Sequence, residues 1–197
     1  MDNFLFIGGG DGRVKKLDLI SGKWNLTHEA QLEGKVTSLS LSTDQKELVA
    51  GTSTDRIYRL LTTDLSYLVH TEAHDGSVND ISFGSTRSDQ FCCIDSAGAC
   101  KIWDSSEYKC VFNIKHPKLY PGRSCAILND NTVMTGWDDG FVRCYETSQG
   151  GLIWEIANAH KGPVTAVYGD KNYLLTGGAE GAVRVWARTT RQLLIQF

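Results

Sequence analysis

The sequence contains side chains capable of acid–base chemistry, but their spacing does not assemble a reaction centre. Asp138 and Asp139 are adjacent. Side chains of neighbouring residues in a strand or tight turn diverge, so these two do not form a general acid–base pair by spacing alone. The glycine-rich run at residues 8–12 has the composition of a phosphate-binding loop, but a strand-like pattern follows it instead of a helix whose N-terminus could hold phosphate. No G-x-S-x-G hydrolase motif occurs in the sequence. These patterns favour a protein that is not an enzyme.

Histidine and cysteine, the usual metal ligands, also lack a suitable arrangement. His74, His116 and His160 are 42 and 44 positions apart, so each belongs to its own repeat and they need not converge on a metal ion or a catalytic triad. The six cysteines contain no C-x-x-C pair, and four of them lie in apolar, strand-like runs. Buried thiols in a reducing compartment fit this pattern better than disulfides or a zinc site. We therefore expect no metal, no cofactor and no small-molecule substrate.

Charge and composition exclude further classes of partner. The chain has 20 basic and 23 acidic residues, a formal net charge of −3, and no polybasic run, which argues against nucleic acid or an anionic membrane as the main partner. A hydrophobic share of 41% and a charged share of 22% are ordinary for a globular protein. No apolar run approaches the roughly 18 residues of a membrane span, and the first residues do not resemble a signal peptide. The sequence predicts a cytosolic protein with a buried core.

Short strands are the elements that must position these side chains. The chain has 20 glycines and only 3 prolines, and runs of β-branched, aliphatic and aromatic residues separate the glycine-bearing turns. Hardly any window keeps the apolar periodicity of a helix. Five hairpin-like units recur, each with an apolar strand, a polar turn and a second strand. Their sequences are FLFIGGGDGRVKKLD, ELVAGTSTDRIYRLL, QFCCIDSAGACKIWD, TVMTGWDDGFVRCYE and YLLTGGAEGAVRVWA.

The five units share one period. Their turn residues are 43, 43, 42 and 41 positions apart, and the residues that close the second strands keep the same spacings. The turn residues are Gly12, Asp55, Gly98, Gly140 and Gly181, and the closing residues are Leu17, Leu60, Trp103, Tyr145 and Trp186. A V-x-x-[LIV] segment recurs as well, starting at Val36, Val78 and Val164. A period of about 40 to 45 residues with four strands per unit is typical of a β-propeller blade.

The residues of these units resemble the WD-repeat family. Unit three ends in the dipeptide Trp103-Asp104 that gives the family its name, and His74 and His160 stand where the histidine of the family's Gly-His pair is expected. In the family a histidine, a hydroxyl residue, an aspartate and a tryptophan form a hydrogen-bonded tetrad within a blade. The carboxylate can fix the imidazole tautomer, and the imidazole then bonds the hydroxyl, which also bonds the indole N–H. The resemblance implies two such tetrads. They are His116 with Thr135, Asp139 and Tyr145, and His160 with Thr176, Glu180 and Trp186.

The first three units depart from the tetrad pattern. In unit three, Cys93 and Ala97 occupy the positions of the hydroxyl and the carboxylate, which leaves His74 and Trp103 as tetrad-like residues. Units one and two have apolar residues at the hydroxyl and tryptophan positions. We therefore expect incomplete tetrads in these three units, whose sheets must rely on apolar packing against their neighbours.

The strand count predicts an all-β WD40-type propeller that is partial. Residues 1–31 supply an incomplete blade without its innermost strand, and four complete four-stranded blades follow. The complete blades are expected at residues 32–72, 73–114, 115–158 and 159–197. Propellers have about 4 to 8 blades, and an open end face exposes apolar side chains that a soluble protein avoids. The expectation is a segment of a longer propeller, or the junction of two propellers; the alternative is a closed ring of five blades.

From about residue 45 onward, the order of the motifs resembles the WD-repeat proteins associated with cilia and flagella. That resemblance implies two propellers in tandem and a place inside the doublet microtubules of the axoneme. It further implies a noncatalytic scaffold of the cilium, flagellum or centriole that docks on tubulin or other axonemal proteins through rigid loops. The alternative is a general cytosolic adaptor, such as a substrate receptor of a ubiquitin ligase or a signalling scaffold.

Two loops carry the candidate partner contacts. Trp137 and Asp138 lie in the tight turn of unit four, and tryptophan is enriched among interface anchors, although packing is the alternative role. Residues 116–123 replace a connection of about four residues in the other units, and hold two of the three prolines together with Tyr120 and Arg123. A tolerated insertion is the alternative interpretation. We predict that Trp137, Asp138, Tyr120 and Arg123 contact a protein partner.

Overall fold

The computed structural model describes residues 3–70, 73–84, 89–128 and 131–197. These residues form 19 β-strands and no helix. None of them therefore belongs to a helix long and apolar enough to cross a bilayer. The strands make five separate antiparallel sheets, one of three strands and four of four strands.

Each sheet is built from strands that are consecutive in the chain. The first sheet contains β1 (Phe4–Gly8), β2 (Arg13–Ile20) and β3 (Lys23–Gln31). The second contains β4 (Val36–Leu41), β5 (Glu47–Thr52), β6 (Ile57–Leu61) and β7 (Tyr67–His70). The third contains β8 (Val78–Phe83), β9 (Gln90–Asp95), β10 (Ala99–Asp104) and β11 (Lys109–Lys115). The fourth contains β12 (Gly122–Leu128), β13 (Thr132–Trp137), β14 (Val142–Glu146) and β15 (Leu152–Ile156). The fifth contains β16 (Val164–Gly169), β17 (Tyr173–Gly178), β18 (Val183–Ala187) and β19 (Leu193–Gln196). This confirms the predicted class of one incomplete and four complete four-stranded blades.

The residues that set the sequence period occupy the same backbone conformation in every sheet. All five turn residues between the second and third strand positions of a blade have positive φ, from 63° at Asp55 to 91° at Gly98. Glycine populates this left-handed region without steric cost, and aspartate tolerates it better than most residues. At Gly140 a side chain would also meet a backbone oxygen, since a Cβ atom there would lie 2.5 Å from the carbonyl oxygen of His160. The sequence period therefore arises because the same hairpin turn occurs in all five blades.

Successive blades are joined by a close contact between a glycine and a β-branched residue. A Cβ atom at Gly51 would lie 2.6 Å from Cγ1 of Val78 on the innermost strand of the next blade. At the joint between blades three and four the large and the small residue change places, because Ile94 occupies the glycine position and Gly122 occupies the valine position. A Cβ atom at Gly122 would lie 2.1 Å from Cγ1 of Ile94. Each joint therefore accommodates one large side chain, on either side of the contact.

The blades pack in chain order and form an open arc. β8 packs against β4 and β5, β12 against β8 and β9, and β16 against β12 and β13. Among the residues that the structure describes, no packing of similar extent joins the fifth sheet to the first. Apolar side chains consequently remain exposed on both end blades, including Leu5 at 45% and Tyr168 at 60% exposure. The closed five-blade ring is not formed.

Candidate functional site

The fifth blade contains the complete hydrogen-bonded tetrad. Nδ1 of His160 lies 2.7 Å from Oε1 of Glu180, and Nε2 lies 2.7 Å from the hydroxyl of Thr176. The indole N–H of Trp186 donates to the same hydroxyl at 3.0 Å. His160 and Thr176 are buried, so these bonds are shielded from water and connect the loop before the blade to two of its strands. The structure thus places His160, Thr176, Glu180 and Trp186 in one hydrogen-bonded chain.

The third blade also contains a complete tetrad, and the expectation that it would be incomplete is wrong. Nδ1 of His74 lies 2.7 Å from Oδ2 of Asp95, and Nε2 lies 2.7 Å from Sγ of Cys93. The indole N–H of Trp103 donates to the same sulfur at 3.0 Å. The carboxylate comes from the strand itself, two residues before Ala97. Cys93 and Asp95 lie on the same face of β9 because side chains alternate along a strand. A thiol here replaces the usual hydroxyl.

Aspartate, histidine and cysteine in this order are also the groups of a nucleophilic triad. In this blade, however, Cys93 and Asp95 are completely buried and His74 is only 3% exposed. Burial raises the pKa of the Cys93 thiol well above its usual value. A cysteine is nucleophilic as the thiolate, so a buried thiol that stays protonated is inert toward substrates. The geometry therefore supports a structural role for these three side chains.

The fourth blade contains a rearranged tetrad. His116 approaches Asp139 with Nε2 instead of Nδ1, at 3.1 Å. The hydroxyl of Thr135 accepts a hydrogen bond at 2.7 Å from the indole N–H of Trp137 and donates to a backbone carbonyl. The prediction that Tyr145 takes the place of the tetrad tryptophan is therefore wrong, because Trp137, on the same strand as Thr135, supplies the ring N–H.

The loop after β11 explains the altered orientation of His116. The backbone N–H of Lys118 donates to Nδ1 of His116 at 3.1 Å, so this nitrogen is no longer available to the carboxylate. Asp139 is held in addition by Arg143, whose Nη2 lies 2.7 Å from Oδ2. Desolvation raises the pKa of Asp139, but the hydrogen bonds from Arg143 and from the backbone of Phe141 outweigh it and lower the pKa from its usual 3.8.

Trp137 is a core residue, and its predicted role as a partner contact is wrong. The side chain is 0% exposed and packs in the cluster between blades three and four, with its ring 5.1 Å from that of His116. Thr135 and Trp137 are two positions apart on β13, so both point toward the same interior. The five residues from Val133 to Trp137 are all buried, which is typical of a central strand covered on both faces.

The other three predicted contact residues lie on or near the surface. Arg123 forms a forked ion pair with Asp138, with Nε 2.5 Å from Oδ1 and Nη2 2.8 Å from Oδ2. Tyr120 is 39% exposed and stands edge-on to the ring of His116 at 5.1 Å. Leu119, which was not among the predicted contact residues, is 60% exposed beside Tyr120. An aliphatic residue between two prolines is the signal that would have pointed to it.

The loop that carries these residues is held in place by its backbone. The amide of Leu119 donates to the carbonyl of His116 at 2.9 Å, and the amide of His116 donates to the carbonyl of Gly98 at 2.8 Å. The carbonyl of Pro121 accepts from the amide of Asp138 at 2.9 Å. These bonds fix the loop to both the third and the fourth blade. Within the part of the chain that the structure describes, no cluster of three or more histidine, cysteine or acidic side chains could hold a metal ion.

Comparisons with known proteins agree with this geometry. The family model described as "WD domain, G-beta repeat" matches residues 152–187, which include the fourth strand of blade four and the first three strands of blade five. Over 92% of its length the chain is 28% identical to Cilia- and flagella-associated protein 52 of Bos taurus. The chain therefore contains a WD repeat. The relative of the same name in Chlamydomonas reinhardtii is 28% identical over 83% of the WD-repeat chain.

The matched relatives are longer than this WD-repeat chain. The chain spans 29% of the length of the Bos taurus relative and 26% of the Chlamydomonas one. A solved structure titled "Structure of U3-55K" superimposes with a TM-score of 0.87 over 99% of this chain and 61% of that one. Its sequence identity is 18%, so this likeness concerns the fold alone.

Proposed function

We propose that this WD-repeat chain is part of a noncatalytic scaffold of cilia, flagella or centrioles, and that it docks on tubulin or other axonemal proteins through the loop between blades three and four. The observation that carries this proposal is the similarity, over 92% of the chain, to Cilia- and flagella-associated protein 52. The relatives of that name include both mammalian and algal proteins. A scaffold role also agrees with the burial of the one Asp–His–Cys arrangement described above.

The loop at residues 116–123 supports docking on physical grounds. A loop that must become ordered on binding loses conformational entropy, whereas a loop that is already fixed avoids this cost. Leu119 and Tyr120 are exposed on a backbone that hydrogen bonds hold to two blades. An aromatic and an aliphatic side chain beside the exposed Arg123 guanidinium have the composition of an interface centre.

Localisation and sedimentation test the proposal. The tagged chain expressed in a ciliated cell should concentrate in the cilium, and the purified chain should co-sediment with salt-washed axonemal doublets or with microtubules assembled from purified tubulin. A diffuse cytosolic signal, with ubiquitin-ligase subunits recovered in a pull-down, would contradict the proposal and support the adaptor alternative.

A matched pair of variants tests the role of the loop. Leu119→Asp should reduce co-sedimentation at least about tenfold, which corresponds to 1.4 kcal/mol, because it places a charge in the proposed interface. Leu68→Asp is the control, since Leu68 is exposed to a similar extent, 63% against 60%, on the outer strand of blade two. Equal effects of the two substitutions would show that the loop is not the docking surface.

A further inference from the structure

The joint between blades three and four contains a groove of about 790 Å³. Its walls come from the end of β11 and the following loop on one side, and from β14, β15 and the turn that joins them on the other. The residues that line it include Phe112, Lys115, Lys118, Arg143, Gly150 and Leu152. The volume lies in the range of about 300 to 1,000 Å³ that ligand sites usually have.

One repeated position of the blades differs at the wall of this groove. The turn between the third and fourth strands of each complete blade contains a residue with positive φ, at the same spacing as the other repeat markers. These residues are Leu65, Tyr108, Gly150 and Arg191.

In the other blades this residue reaches toward the preceding blade. Leu65 is 2% exposed in the core shared with the first sheet, and the hydroxyl of Tyr108 donates to Oε2 of Glu47 in blade two at 2.9 Å. The guanidinium of Arg191 stands 5.9 Å from the ring centre of Trp154 in blade four. In blade four the position is Gly150, and the ring of Phe112 from the preceding blade packs directly against it, since a Cβ atom at Gly150 would lie 1.9 Å from Cε1 of Phe112. Both residues line the groove.

The acidic side chains of the groove are already engaged. Asp139 is bound by Arg143 and His116, and Glu155 lies 3.4 Å from Nε of the same arginine. Arg143 is therefore neutralised by two carboxylates. Its side chain is also largely buried, with 13% exposed, so it is not available to an incoming anion.

The lysines of the groove remain accessible. Lys115 is 56% exposed, and among the described residues its ion-pair partner is the exposed Asp75 at 3.6 Å, a type of pair that contributes little in water. For Lys118, which is exposed, no ion pair is found among the described residues. Exposed apolar surface lies beside these charges, notably Leu152 at 53% exposure. The groove thus offers two positive charges around an apolar floor.

We infer that this groove binds an extended acidic segment of a partner protein that carries one apolar side chain. The apolar side chain occupies the space beside Gly150 and Phe112, and flanking carboxylates pair with Lys115 and Lys118. A nucleic acid fits less well, because two accessible lysines in a chain of net charge −3 neutralise few phosphates. This inference rests on the proposed docking function and names the chemistry of the segment that docks.

Fluorescence anisotropy with a defined probe tests the inference. The probe is a fluorescein-labelled peptide in which glutamates flank a single central phenylalanine, titrated with the full chain at low and moderate salt. Lys118→Glu should weaken binding about tenfold, equivalent to 1.4 kcal/mol, and replacing the phenylalanine of the peptide by serine should have an effect of similar size. The control is Lys161→Glu, the same charge reversal at an exposed position in the loop before blade five, which should leave the affinity unchanged.

Several results would overturn the inference. They are absence of peptide binding, equal weakening by Lys118→Glu and Lys161→Glu, or an affinity that does not change when the phenylalanine of the peptide is replaced. The first two would show that the groove is not the binding site, and the third that it has no apolar subsite. Displacement of the peptide by a single-stranded oligonucleotide in a Lys118-dependent manner would assign the groove to nucleic acid instead. Ciliary localisation is measured separately, so a failure of peptide binding with normal localisation refutes the groove and leaves the scaffold role standing.

Discussion

Replacement of Cys93 tests whether a thiol can take the place of the hydroxyl in a blade tetrad. In Cys93→Ala, the indole N–H of Trp103 loses its acceptor at 3.0 Å and Nε2 of His74 loses its partner at 2.7 Å, in a site that is almost fully buried. An unsatisfied buried polar group costs about 1–3 kcal/mol, so two such groups should lower the free energy of unfolding by about 2–6 kcal/mol. Cys93→Ser should cost less than about 1.5 kcal/mol, because a hydroxyl can serve both partners.

Urea denaturation followed by circular dichroism and tryptophan fluorescence measures these differences. Cys92→Ala is the matched control, since Cys92 is also 0% exposed but lies on the opposite face of the same strand, within an apolar cluster. The expected order of stability is Cys93→Ser first, then Cys92→Ala, then Cys93→Ala. If Cys93→Ala were no less stable than Cys92→Ala, the hydrogen bonds of the thiol would contribute nothing and the tetrad argument would fail.

Three further predictions concern the joints and the rearranged tetrad. Trp137→Ala should destabilise the chain by about 3–5 kcal/mol, because it removes a large, fully buried side chain. A melting temperature close to that of the unchanged protein would show that Trp137 is not part of the core. The pKa of Asp139 is lowered in the folded state, so its contribution to stability is present above the ordinary value of 3.8 and is lost as the pH falls through the lower folded pKa. Asp139→Asn should therefore reduce the loss of stability at acid pH, measured as the free energy of unfolding against pH. An unchanged pH profile would count against the pairing of Asp139 with Arg143. Gly122→Val should destabilise the joint with Ile94, and adding Ile94→Gly should recover at least about 1 kcal/mol of the free energy of unfolding, which a double-mutant cycle measures. If the effects of the two substitutions were strictly additive, the exchange of the large and small side chains would be refuted.

The repeat period carried the prediction of the fold. Gly12, Asp55, Gly98, Gly140 and Gly181 recur at a nearly constant spacing because one hairpin turn with positive φ is used in every blade. Local backbone chemistry of this kind is visible in a sequence. The tetrad of blade five could be predicted for the same reason, since its four residues follow the family pattern position by position.

The sites that deviate from the pattern could not be predicted position by position. Asp95 stands in for the carboxylate expected at Ala97, because two positions on the same face of a strand can reach the same histidine. Trp137 donates to Thr135 the ring N–H that was expected from the position of Tyr145, and the proline-containing loop turns His116 toward Asp139 by its other nitrogen. In both cases an alternative residue reaches the same point in space from a different position in the chain.

The sequence alone determined the strand order, the number of blades and the identity of the regular tetrad, because these depend on residues close together in the chain and on one repeated spacing. Tertiary structure alone decided which large side chain fills each joint between blades. The exchange of Ile94 with Gly122, and the packing of the Phe112 ring against Gly150, depend on contacts between sheets whose residues are far apart in sequence. The sizes of these side chains match only between the two sheets that meet at a joint, so the sequence of one sheet alone does not predict the packing.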